Sequence, residues 1–171
     1  MDLSKLTNMA IELYRPALLV LAGAVDNAAD TSPVIPPALP SPAAEIQFLS
    51  VDEVKLIHEL QMVAISPDEP RGILNAGQLE AAVMAPQQTF GGEFFYPTFA
   101  DMAAAYWIGL VGGHAFQQGN KRVSFLSTLL FLWQNGILID LQNAEAASIT
   151  LRIIAHELDR ENLSSLLAKK L

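Results

Sequence analysis

The stretch His114-Ala-Phe-Gln-Gln-Gly-Asn-Lys-Arg122, running straight into Val123-Ser-Phe-Leu-Ser-Thr-Leu-Leu-Phe-Leu-Trp133, decides how this chain is read. The second half is apolar nearly all round, so a helix over Asn120–Gln134 should be the buried axis of a bundle, stopped at Asn135-Gly136. The first half is a loop that feeds the start of that helix. A first helical turn has unpaired N–H groups and carries roughly half a positive charge. Gly119 lets the backbone come close to a ligand. Lys121 and Arg122 add two full charges at an end where cations are unfavourable, an arrangement that makes sense if the site receives an anion, most simply a phosphate. His114 precedes this turn and could face the anion as a general base.

The flanking elements read as further helices. Phe99 to Val111 carries Ala103, Ala104, Trp107 and Ile108 and delivers Gly112-Gly113, whose freedom should let the chain turn with the His114 imidazole outward. Thr89-Phe-Gly-Gly-Glu-Phe-Phe-Tyr-Pro97 should be a strand or hairpin broken at Gly91-Gly92. Its aromatic residues would cap the core, line a flap, or both. Gly77–Ala85 is a short helix ended by Pro86. Ser50 and Glu53 form a capping box opening a helix with a Val54, Ile57, Met62, Ile65 stripe. His58 lies on it, with a surface or half-buried structural role expected. Residues 144–156 and 162–170 complete the set, with His156 expected to be structural.

Residues 1–28 read as one helix that Pro16 kinks or divides. Residues 30–44 hold Pro33, Pro36, Pro37, Pro40 and Pro42 and read as a semi-rigid polyproline strap. The expected organisation is an N-terminal helical extension and linker over 1–45, packing on the domain or on a second copy as a homo-oligomer contact, and a domain over 46–171. The fold class is all-α.

Half of the 171 residues are apolar (51%) and only 16% are charged. The net charge of −8 argues against a nucleic-acid surface. No apolar run near the N-terminus approaches the roughly 20 residues of a spanning helix, and Met1-Asp-Leu-Ser-Lys5 lacks a basic front. The absence of cysteine fits a reducing compartment, so a cytoplasmic protein without membrane contact is expected.

The segment from His114 to Arg122 resembles the signature of the Fic/Doc family, His-x-Phe-x-(Asp/Glu/Asn)-(Gly/Ala)-Asn-(Gly/Lys)-Arg. Asn120-Lys121-Arg122 points to its Doc (death-on-curing) branch. Phe90-Gly-Gly…Tyr96-Pro97 and the opening Leu49-Ser…Ile57-His58 also resemble family segments. The resemblance implies a Fic-like helical bundle with a small β-hairpin flap. It implies that His114 takes the proton of a target hydroxyl, that Gly119, Asn120, Lys121 and Arg122 hold nucleotide phosphates, and that Phe116 anchors the motif. Gly91, Gly92, Glu93, Phe94 and Tyr96 would form the target-binding flap. Doc-type members are associated with phosphate transfer from ATP to elongation factor Tu, as toxins restrained by a partner antitoxin. Fic members mostly transfer AMP.

Several positions depart from the pattern. Gln118 stands where the family has the acid that normally ligates Mg²⁺, and an amide is a poor substitute. Phe125 stands where many AMP-transferring members have a second Arg. Leu74, Asn75 and Ala81 replace an Arg, an Asp and a Ser. The readings open at this level are a Doc-like toxin kinase restrained in trans, a Fic-type AMP transferase, and a catalytically weakened binding protein on the same fold.

Overall fold

A computed structural model describes residues 2–28, 39–40 and 44–171. Among them are eight α-helices: α1 (Leu3–Leu13), α2 (Arg15–Leu21), α3 (Val51–Ile65), α4 (Ala76–Met84), α5 (Phe99–Gly112), α6 (Asn120–Gln134), α7 (Asn143–Ile154) and α8 (Arg160–Ala168). The strands β1 (Thr89–Phe90) and β2 (Glu93–Phe94) form one antiparallel hairpin. The fold is all-α apart from this hairpin, a helical bundle with a two-stranded flap. The proline-rich strap expected over 30–44 lies mostly outside the described residues.

The axis is α6, buried from Arg122 through Trp133. It packs most extensively on α5, with α1 and α3 on its other sides. Aromatic rings lock this contact. Phe125 lies 5.0 Å from Tyr14, edge-on, and 5.5 Å from Trp107. Phe131 lies 5.0 Å from Tyr106 and 5.9 Å from Phe48. Each such pair adds about 0.5–1.5 kcal/mol beyond the area it buries. Two buried polar groups of α5 are paired where elements meet: Trp107 Nε1 donates to Thr150 Oγ1 at 3.1 Å, and the Tyr106 hydroxyl accepts from Leu49 N at 3.0 Å.

Two capping boxes form, the expected one at Ser50 and a second at Thr98. Ser50 and Glu53 cap α3, and Thr98 and Asp101 cap α5. Each satisfies two N–H groups that a helix start otherwise leaves open. At the far end of α6, Gly136 adopts φ +74. Asn135 bonds the Phe131 carbonyl and both backbone groups of Gln47, so the stop of α6 also fixes the entry to α3.

Residues 3–21 form two helices, divided at Tyr14 with Pro16 in the first turn of α2. The proline cannot donate, and the break frees Leu13 O and Ala17 N. Asn143 pairs both, donating to Leu13 O at 3.1 Å and accepting from Ala17 N at 3.0 Å. Tyr14 donates to Leu141 O at 2.8 Å. Leu6, Ala10, Ile11, Ala17, Leu18 and Leu21 are buried in the same core as α6, so this apolar face is used within the chain.

Two backbone expectations change. Gly112 and Gly113 do not make the turn before the signature: Gly112 ends α5 and Gly113 keeps a right-handed φ of −72, whereas His114 itself adopts φ +43. Gly113 is small for another reason: a Cβ there would stand 3.1 Å from Gly109 O. His156 does not continue α7. It follows the helix at φ +58, with its N–H on Ile153 O and the Glu157 N–H on Arg152 O, a left-handed helix ending, and it is exposed.

Candidate active site

The signature loop is held from three sides before any ligand is considered. Asn120 reaches back to Phe116, accepting from its N–H at 3.0 Å and donating to its carbonyl at 2.8 Å. The extended segment 72–75 runs beside the loop. Leu74 N donates to Ala115 O at 2.7 Å, Gln117 N donates to Gly72 O at 2.8 Å, and the Gln117 side chain accepts from Gly72 N at 2.9 Å. From behind, His58 on α3 makes a 2.8 Å hydrogen bond to the Gln118 carbonyl, and its ring stacks on Phe116 at 3.8 Å and 9°. A carbonyl only accepts, so Nε2 carries the proton. Gly119 has no room for a side chain: a Cβ would stand 2.5 Å from Gln61 Nε2 and 2.8 Å from Met62 Sδ.

The loop opens on a cavity of about 250 Å³. Its walls are Leu21, Ala22 and Gly23 at the end of α2, Val111, Ile154, Glu69, His114, and the run Gln118–Arg122. A neighbouring cavity of about 420 Å³ shares Val111, His114 and Ile154 and adds Ile108, Ile153, His156 and Arg160. The exposed imidazole of His114 therefore borders two spaces, one polar and cationic, the other mostly apolar.

The expected phosphate residues divide by role. Gly119, at φ +83, is the N-cap of α6 and no side chain caps the first turn. Lys121 is exposed on the cavity wall. Asn120 has both polar atoms engaged by Phe116, so here its amide shapes the loop. Arg122 is buried, with 2% of its side chain exposed, and is held by its own chain. Nη1 donates to Ser66 Oγ at 2.8 Å and Nη2 to Glu69 Oε2 at 3.1 Å, while Nε has no partner. Burial pulls its pKa below the ordinary arginine value and Glu69 opposes that, so the group remains a cation. Phe116 is buried.

Gln118 is exposed and lines the cavity. Among the described residues no group of three His, Cys, Asp or Glu could hold a metal ion. The single carboxylate lining this cavity, Glu69, is bound to Arg122. The donors here do not fit a protein-held Mg²⁺, which prefers carboxylate oxygens. Asn75, replacing an Asp, caps α4 by accepting from Gln78 N at 3.0 Å, a task either residue performs.

The flap is a tight hairpin. Thr89 pairs with Phe94 and Phe90 with Glu93, around Gly91 (φ +60) and Gly92 (φ +85), the two left-handed positions of a type I′ turn. Phe94 touches Phe48 at 5.7 Å, but Phe90 is 79% exposed and packs on Phe95 at 6.3 Å. Arg160 lies 5.2 Å above the Tyr96 ring. The hairpin thus touches the domain through Phe94, itself 37% exposed, and presents its other rings to solvent.

Sequence reading did not single out Glu69, Ser66 or the full burial of His58. The first two lie in a loop of prolines and charges, where no periodicity says which side chain turns inward. A bundle whose central helix begins in an open, cationic turn behind a histidine defines the class: the Fic/DOC family model matches residues 48–132, and the chain belongs to the Fic/Doc family, in its Doc branch. It is 33% identical over 94 residues, 54% of this chain and 72% of the relative, to Toxin Doc from Mycolicibacterium smegmatis. No helix among the described residues is long and apolar enough to cross a membrane.

Proposed function

We propose that this chain is a Doc-like toxin that transfers phosphate from ATP to a hydroxyl of a target protein, and that a partner antitoxin restrains it in trans. The observation that carries the reading is the uncapped start of α6, opening with Lys121 on a cavity that His114 also lines. N–H groups without a side-chain cap, the helix dipole and a fixed cation together stabilise charge on a transferring phosphoryl group.

In this reading His114 takes the proton from the acceptor hydroxyl. The hydroxyl oxygen bonds to the γ-phosphorus, the bond to the β,γ-bridging oxygen breaks, and ADP leaves with that electron pair. Lys121 and the first N–H groups of α6 stabilise the charge, and Arg122 contributes a buried cation behind them. Because the donors do not fit Mg²⁺, no step is assigned to it. Phosphate transfer is favoured over AMP transfer by Phe125, whose ring packs on Tyr14 and Trp107 where a second arginine would otherwise add charge. The exposed edge and rings of the flap suit pairing with an extended target segment. The Doc resemblance suggests a translation factor such as elongation factor Tu, and hence action in the cytoplasm.

The test uses ATP labelled in the γ- or the α-position, with His114→Ala as control. Label should pass to protein from the γ-position only, and His114→Ala should abolish both transfer and growth arrest. Growth arrest that survives His114→Ala would end this reading.

A further inference from the structure

We propose that His58 is a positioning residue for the phosphate site: by holding the Gln118 carbonyl against α3, it turns the Gly119 N–H, at the cap of α6, toward the bound anion. The proposal rests on the phosphate reading above and adds a residue that never touches the ligand.

His58 is 2% exposed and faces the bundle interior beside Val54, Ile57 and Met62. An aliphatic residue there would bury no polar group, whereas an imidazole must be compensated by a hydrogen bond. Nε2–H finds its acceptor in the Gln118 carbonyl at 2.8 Å. Burial pulls the pKa of the ring below the ordinary histidine value, so it is neutral and this tautomer persists.

The chosen carbonyl matters. It belongs to the peptide that joins Gln118 to Gly119, the N-cap of α6. A trans peptide is planar, so its C=O and N–H point in opposite directions. Drawing the carbonyl onto His58 therefore directs the Gly119 N–H away from α3. The cavity lies on that side: it is lined by Gln118 and Gly119 but not by His58. The stack on Phe116 at 3.8 Å fixes the ring plane, and Gly119, having no Cβ, lets the loop lie close against Gln61 and Met62 of α3. His58 thus acts through the backbone of the loop.

The test is titration calorimetry of the full chain with inorganic phosphate and with ATP. His58→Phe keeps the ring stack and the volume but loses the donor. His58→Gln keeps a donor at similar reach, and His58→Asn is too short to deliver one. The Phe and Asn variants should each bind ATP about tenfold more weakly, and the Gln variant should stay within about threefold of the native chain. A Phe variant that fails to fold leaves the Gln and Asn pair to decide. Native-like ATP binding by the Phe or Asn variant, or a Gln variant as weak as the Asn variant, would overturn the proposal. A native chain that binds neither phosphate nor ATP would instead remove the phosphate reading itself, and His58's role with it.

Discussion

Replacing Glu69 by Gln should make the cavity a better anion site while making the protein less stable. Glu69 is the carboxylate on Arg122, at 3.1 Å, with side-chain exposures of 40% and 2%. Two unit charges about 6 Å apart interact by about 3 kcal/mol at an effective dielectric of about 20. The openness of Glu69 to water reduces its repulsion of a bound phosphate to about 1–2 kcal/mol, or roughly tenfold in affinity. Glutamine keeps an oxygen to accept from Nη2 but leaves the buried guanidinium without its counter-charge, a cost of about 1–2 kcal/mol that should lower Tm by about 2–8 °C. The assay is calorimetry with inorganic phosphate at low and high salt, alongside thermal unfolding. Affinity should rise about tenfold at low salt and less at high salt. Unchanged or weaker phosphate binding would refute the competition argument and leave Glu69 as the group that holds Arg122 in place for the anion.

Other expectations follow from single contacts. Gln118→Asp places a carboxylate on the cavity wall and should tighten ATP binding in the presence of Mg²⁺ by about tenfold or more, with no gain in EDTA; an equal effect in both would contradict it. Tyr14→Phe removes the buried bond to Leu141 O, which should cost about 1–2 kcal/mol and lower Tm by about 2–8 °C in a thermal melt. The pKa of His58 is lowered on folding, so just below pH ~6.5 the unfolded chain binds more protons than the folded one. Stability from this group is complete above that pH and is lost as pH falls toward the folded-state pKa; denaturant unfolding between about pH 5 and 7 should show a shallower slope in His58→Phe.

Much of this architecture could be read from residue order. The run Val123–Trp133 is apolar nearly all round, with only the small uncharged Ser124, Ser127 and Thr128 among its polar residues, and such a helix is buried as an axis. Ser50 with Glu53, and Asn135-Gly136, marked ends that local chemistry alone sets. The Gly91-Gly92 pair placed the flap turn. The candidate site was legible as a list of residues but not as a division of labour. Asn120 and Arg122 were expected to face a phosphate, yet one is bound into its own loop and the other is paired with Glu69. Both outcomes depend on partners distant in sequence or in an irregular loop. The turn at His114 was hidden for the opposite reason: glycine is the usual carrier of positive φ, and here the histidine beside two glycines takes it.

The cavity has a roof that lies outside the family-matched region. Leu21, Ala22 and Gly23 close one side of it, while the match begins at residue 48. Their position is fixed at a distance, through Asn143 bridging the break before α2. A fragment trimmed to the matched span would retain the whole signature and still present its anion turn to open water, where every electrostatic contact is weaker. The first helices therefore enclose the proposed site as much as the signature loop does.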